Sequence, residues 1–460
     1  MVSQPRPTAR NAGFAIVSLF LGYFYFAHFK APVTDAPYVI QETLSAMKCL
    51  ADGTRPCRSA GQYALLQKLL VWPFLAGGLA PFRMVGILSF FNLAACLASV
   101  IVACRSLRAT GQNYRGFLFL LALAISPWAW YARTAFGEPL SLSLMLTAVV
   151  FCHDGRSAVA IAALLFGVAI SKDTAAPFAA LIAASAAMRG GHFRRLCPAI
   201  GLGAGAGFAA CVAFNLFRFD SWINLAYISP LSIVTDLRDQ LSFFAALWLS
   251  PNGGAVFFLP GIVAILITGV GGLGNVRRIG RMDRGTGGRA TLPLAAGTLI
   301  VAFGGLTYGL SKWFAPLGWY GWGPRLLLPW IIPAAWVALQ GLPPAVLRWR
   351  PPHGFYAGMA VLAFPQFLAL FDLSLVDTIF RPDAICTGTI AVEADRAHYF
   401  DCTHHRLWPT DNWVLVRSFF HGGHPRELIA AWVATAVLLV WARHEFECST
   451  TARSLAPTHE

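Results

Sequence analysis

Apolar runs recur along nearly the whole chain, broken by short polar segments. Each is close to the roughly 20 residues that an α-helix needs to cross about 30 Å of hydrocarbon, and in lipid a helix satisfies its own backbone hydrogen bonds. Windows of that size place spans near 12–29, 83–104, 116–132, 138–152, 157–171, 174–188, 196–216, 254–272, 291–311, 324–340, 354–371 and 429–442. Composition agrees: 57% of the 460 residues are hydrophobic and 12% are charged, against roughly 25% charged in a soluble domain. The expected fold class is therefore all-α, a polytopic membrane protein of about twelve transmembrane helices.

A formal charge of +14 raises the question of nucleic acid, which the placement of the charges answers. Eighteen arginines but five acids fall at the helix ends on the N-terminal side, whereas seventeen cations and sixteen acids fall on the other. Short basic loops such as RSLRATGQNYR and RGGHFRR mark the first side as cytoplasmic by the positive-inside rule. Topology accounts for the charge, and nucleic acid is not needed as a partner. The first span follows Arg6 and Arg10 without a small-x-small cleavage site, so it reads as an uncleaved anchor. Both termini are expected in the cytoplasm.

Three segments on the outer side stand out: 30–82, 217–253 and 372–428. The chain accordingly divides into a transmembrane module, 1–371, that includes the first outer loop, an outer loop, 372–428, and a last helix with its tail, 429–460. Cys49 with Cys57, and Cys386 with Cys402, form local pairs within outer loops, where oxidation is expected, and a disulfide is predicted in each. The cluster His398, His404, His405, His421 and His424 near Asp401 and Cys402 invites a metal reading. A disulfide at Cys402 leaves irregularly spaced surface histidines, so neither metal nor cofactor is expected.

The stretch TDAPYVIQETLSAMKC opens the first outer loop at residue 34. After Asp35, Val39, Ile40, Thr43, Leu44, Met47 and Leu50 recur at helical spacing, with Gln41, Glu42, Ser45 and Lys48 opposite. That pattern describes an amphipathic helix in the interface. Asp35 reads equally as its N-cap, with Pro37 in the first turn, or as a catalytic acid. Further charged residues collect on the same side: Glu138 and Arg133 in RTAFGEPLSLSLML, Lys172 in SKDTAAPF, Arg218 and Asp220 in FNLFRFDSWINLAY, Lys312 and Arg325 in KWFAPLGWYGWGPRLLLP. All five lysines, Lys30, Lys48, Lys68, Lys172 and Lys312, fall there, which points to an anion. Taken singly each is an interfacial anchor or structural ion pair; their convergence on one side suggests a site. Trp319, Tyr320 and Trp322 read equally as an aromatic belt or as a surface on which a sugar stacks.

A sugar on a polyprenyl phosphate keeps its tail in lipid and its head at the interface. Its phosphate leaving group needs cations rather than a protonated acid, and one carboxylate suffices to deprotonate an acceptor hydroxyl. The blocks TDAPY, GQYALLQKLLVWP, FGEPLSLSLML, NLFRFDSWINLAY, LSPNGGAVFFLP and GWYGWGPRLLLP together resemble the GT-C superfamily of integral-membrane glycosyltransferases, over about residues 30–340. The resemblance implies an inverting glycosyltransferase of the cell envelope, taking a polyprenyl-phosphate sugar and delivering it to a glycan, lipid or protein acceptor outside. It assigns Asp35 as general base and places Arg325 beside the donor; Glu138 or Asp220, charged residues on the same side, stand in reserve as the base. Lys172, Arg218 and Lys312 join Arg325 as expected phosphate ligands, and Trp319, Tyr320, Trp322 and Asn252 as sugar or lipid contacts. Two departures occur: Asp220 stands where many relatives have glycine, and Asn252 where they often carry a basic residue, with the amides of 252–254 left as a candidate anion nest. The competing readings are a transporter or lipid flippase, which requires charges along a midplane path that the spans lack, and a lipid-binding structural subunit.

Overall fold

The computed structural model describes residues 36–172, 175–225, 233–274, 291–313, 317, 323–343, 346, 351–372, 375, 407–408, 414–420 and 425–454. The first expected span, Asp35, Trp319, Tyr320, Trp322, Cys386, Cys402 and the histidines of 398–424 lie outside the described residues. The described chain is all-helical, and its β pairing is an isolated antiparallel bridge between Ile233 and Trp313.

In chain order the helices are α1 (Ala36–Asp52), α2 (Leu65–Ala76), α3 (Pro81–Ala109), α4 (Asn113–Ala124), α5 (Trp128–Ala132), α6 (Glu138–His153), α7 (Ala158–Ser171), α8 (Ala176–Arg189) and α9 (Phe193–Phe219). There follow α10 (Leu237–Leu249), α11 (Ala255–Phe258), α12 (Pro260–Gly274), α13 (Thr291–Ser311), α14 (Leu328–Leu339), α15 (His353–Phe371), α16 (Val414–Phe419) and α17 (Pro425–Ser454). Within α3, α9, α13, α15 and α17, the segments Arg83–Ala109, Phe193–Phe219, Pro293–Ser311, His353–Phe371 and Pro425–Glu447 are long and apolar enough to cross a membrane. Shorter apolar helices, α6, α7, α8 and α14 among them, fill the space between; the 16-residue α6 reaches about 24 Å at 1.5 Å per residue.

Two expected spans are broken. The 116–132 run divides into α4 and α5 before Pro127, and the 254–272 run divides into α11 and α12 before Pro260. Proline contributes no N–H and disfavours the helical region for its predecessor; Leu259, with φ −129° and ψ 41°, has left that region. Hydropathy windows average over such a break, so the sequence reading passed through both.

Helix α6 is the hub, packing against α3, α7, α8 and α14. Its Met145, Leu146, Ala148 and Val149 are buried with Ile161, Leu165, Ile182 and Trp336 in the main core cluster. Helices α7 and α9 approach closely because Gly203 and Gly207 carry no side chain. A Cβ on Gly203 would lie 2.4 Å from the Ala162 carbonyl oxygen, and one on Gly207 would lie 2.8 Å from that of Phe166. Small residues at such crossings let backbones touch in the way membrane helices favour. The last helix joins the same core through Ala430, Ala431 and Ala434, and Trp432 packs on Phe364 of α15 at 4.3 Å between ring centroids.

Polar contacts gather at the two ends of the bundle. At one, Ser106 donates to Asp154 at 2.8 Å, Arg195 to the Gly155 carbonyl, and Arg189 to the Gln340 carbonyl at 2.9 Å. This is the end carrying the basic loops. At the other end lie Glu42, Lys68, Glu138, Lys172, Arg218 and Arg325, and there a cavity opens.

Candidate active site

The cavity is small and open to the surface, and is lined by residues 62–64, Gln67, Gly137, Glu138, Ser171, Lys172, Asn224 and Arg325. Each wall has an identifiable cause in the sequence.

The floor is the start of α6. Gly137 is its N-cap, Pro139 sits in its first turn where no N–H is required, and Glu138 opens the helix at its positive end. The preceding segment is fixed by Asn92 of α3, whose amide donates to the carbonyls of Thr134 and Phe136 at 2.7 Å each. Ser141 and Ser171 share a 2.7 Å hydrogen bond that joins the first turn of α6 to the last turn of α7. Lys172, just past α7, thereby comes within 3.0 Å of Glu138 Oε1. Arg325 enters from the turn before α14, its Nε 3.5 Å from the same oxygen and its guanidinium 4.2 Å above the Phe136 ring. Glu138 is 2% exposed, so a buried carboxylate holds two cations beside a polar cavity.

The wall of residues 61–64 is held from both sides. The Glu42 carboxylate accepts the backbone N–H groups of Gln62 and Tyr63 at 3.0 Å each and is paired with Lys68. Arg218 donates to the carbonyls of Gly61 and Tyr63 at 2.8 and 3.0 Å, and Asn224 donates to that of Gln62 at 3.1 Å. Gly61 has φ +64°, and a Cβ there would overlap the Glu42 carboxylate, so glycine is required on both counts. A Cys49–Cys57 disulfide, as expected from the sequence, closes the loop before this wall, and the Cys57 N–H donates to the Phe217 carbonyl at 2.9 Å. Burial pulls the Lys68 ammonium down to about 8, although the adjoining Glu42 carboxylate holds it up.

Helix α1 is turned relative to the sequence expectation. Its buried face is Ala36, Val39, Ile40, Thr43, Ala46 and Cys49, whereas Leu44 and Leu50 are exposed. Glu42, expected on the solvent side, is instead drawn inward by the two amides and the lysine it binds. Ala36 is fully buried and belongs to the same core cluster as Ala135, three residues before Glu138 in the chain.

The structure therefore brings Glu138, Lys172 and Arg325 together. It places Arg218 behind the wall, 2% exposed, between the Phe214 and Phe219 rings and the carbonyls it binds. Asp220 is an exposed C-cap residue of α9 with φ +55°, and does not line the cavity. This left-handed conformation is one that glycine adopts without strain and other residues rarely do. Lys312 lies at the end of α13, its Nζ 4.9 Å from the Tyr308 ring, away from the lining. Asn252 is buried, and the expected nest is not formed. The Asn252 N–H donates to the Ser250 hydroxyl at 3.1 Å, and those of Gly253 and Gly254 to the Ser250 carbonyl at 3.4 and 2.7 Å, so a tight turn consumes all three. Residues that sequence reasoning missed are Gln67, Asn92, Asn224 and the Glu42–Lys68 pair. Their signal was present: Asn92 and Gln67-Lys68 interrupt otherwise apolar stretches, where polar groups are costly unless used.

No family model matches the chain, and no curated protein does. Among solved structures, the chain is similar to ArnT from Cupriavidus metallidurans in the apo state, with 15% identity, a TM-score of 0.45, and coverage of 95% of this chain and 78% of that one. The same protein bound to undecaprenyl phosphate gives 16% identity and the same score and coverage. Similarity at that level assigns neither donor nor acceptor, so the chemistry of the cavity carries the functional reading.

Proposed function

We propose that this protein is an inverting glycosyltransferase that moves a sugar from a polyprenyl-phosphate donor to an acceptor hydroxyl at the outer face of the membrane. The observation that supports it is the cavity in which Lys172 and Arg325 converge on buried Glu138 among neutral amides. Lys172 and Arg325 meet at one carboxylate on the cavity wall, and an ammonium and a guanidinium are the side chains that recognise phosphate, as a point charge and as a planar fork. Glu138 serves in this reading to fix the two cations, and they stabilise the departing phosphate.

Asp35 immediately precedes buried Ala36 and acts as the base. It takes the proton of the acceptor hydroxyl as that oxygen attacks the anomeric carbon. The bond from that carbon to the phosphate oxygen breaks on the opposite side, and the electron pair leaves with the phosphate. The reading takes no metal and no cofactor. The acceptor is an outer-face glycan, lipid or protein, and bacterial inner membrane is the proposed location.

Sealed vesicles containing the protein and a radiolabelled polyprenyl-phosphate sugar provide the test. Label passing to an acceptor in the parent, and falling at least about 1,000-fold in Asp35→Asn, is the expected result. Undiminished transfer by that variant rejects the base assignment. Labelled lipid that crosses the bilayer without cleavage of the sugar–phosphate bond rejects transfer in favour of transport.

A further inference from the structure

Most groups around the cavity already have a partner: Lys172 and Arg325 face Glu138, Ser171 bonds Ser141, and the Gln62 backbone is held by Glu42 and Asn224. Gln67 differs. It lies on α2, is 5% exposed, and lines the cavity, yet among the described residues its carboxamide makes no hydrogen bond. The amide oxygen and nitrogen of Gln67 are not sealed in the packed core but open onto the cavity, where a ligand can reach them.

A second observation concerns the backbone opposite. A Cβ added to Gly137 would lie 2.9 Å from Gln67 Cδ and 3.0 Å from its Nε2. Gly137 has φ −77° and ψ −22°, which any residue adopts, so its bare backbone serves the space taken by the carboxamide rather than a special conformation. The residue before Glu138 thus seats the Gln67 amide beside the two cations.

We infer that Gln67 is a specificity-determining residue whose carboxamide reads the hydroxyl groups of an uncharged sugar on the donor lipid. This rests on the proposed transfer reaction and deepens it. A carboxamide offers one acceptor and two donor hydrogens without charge, which matches a hydroxyl that both gives and takes a hydrogen bond. A site built to pair with a hydroxyl discriminates against ligands that leave it unpaired.

The test uses the full-length protein in nanodiscs, with dissociation constants for undecaprenyl phosphate and for its glucosyl, mannosyl, galactosyl and glucuronosyl esters. The parent is expected to bind at least one neutral glycosyl ester more tightly than the bare lipid and than the glucuronosyl ester. Gln67→Leu should weaken that ester by roughly five- to tenfold, as for one or two neutral hydrogen bonds, while the bare lipid changes by less than about twofold. Gly137→Ala, which displaces the carboxamide without removing it, should reproduce the loss. Equal weakening of bare and glycosylated lipid, a gain that survives both substitutions, no gain in the parent, or preference for the glucuronosyl ester each overturns the inference. A parent that binds none of these lipids overturns the transfer reading itself.

Discussion

At the residue scale the decisive group is Glu138, a buried carboxylate whose value lies in what it holds. Substituting Glu138→Gln keeps the shape and removes the charge, leaving Lys172 and Arg325 beside one another's contact point with no counter-charge from this position. Breaking a buried ion pair by removing one partner costs about 3–5 kcal/mol. The variant is expected to unfold at lower temperature and to lose transfer by at least about 100-fold, measured by thermal unfolding in nanodiscs and by label transfer. A variant as stable and active as the parent rules out this role. Lys68 gives a prediction in pH. Its folded value, about 8, lies below the roughly 10.4 of an exposed lysine. Between those values the unfolded chain holds a proton that the folded chain has released, so this group's contribution to stability rises with pH across that window. The unfolding temperature of the parent, compared with Lys68→Met, should shift in the parent's favour from pH 8 to pH 10. A difference that is flat over this range contradicts the assignment.

At the element scale the cavity wall depends on a short loop rather than on a helix. Residues 53–64 lie between α1 and α2, tied by the Cys49–Cys57 disulfide, by Glu42 and by Arg218. Closing an eight-residue separation removes conformational freedom from the unfolded chain worth about 2–3 kcal/mol. Cys49→Ser with Cys57→Ser is therefore expected to lower the unfolding temperature and to raise the donor KM more than it lowers kcat, because the wall is loosened while the cations stay in place. A kcat loss at unchanged KM contradicts that division. The pairing itself was legible from two cysteines in one loop. The hydrogen bonds of the wall were not, because they join backbone amides at 62 and 63 to side chains at 42, 218 and 224, and side-chain periodicity carries no record of backbone partners.

At the scale of the whole molecule, charge asymmetry and structure agree that two sets of polar contacts occupy opposite ends of one helical bundle. If the basic end faces the cytoplasm, Lys48→Cys in intact spheroplasts should react with a membrane-impermeant maleimide, and Arg108→Cys should react only after lysis. The reverse pattern inverts the topology and moves the proposed reaction to the other face. By itself the sequence determined the helical, multi-span class, because crossing hydrocarbon imposes length and apolarity on every segment, and both are readable without knowing any neighbour. It also determined that Glu138, Lys172 and Arg325 share one side, since alternating spans fix the side of each helix end. The tertiary structure alone decided that these three meet while Arg218 turns behind the wall and Lys312 and Asp220 stand apart. Which side chains converge depends on helix rotation and on the close crossing at Gly203 and Gly207, contacts between segments far apart in the chain that no local pattern encodes.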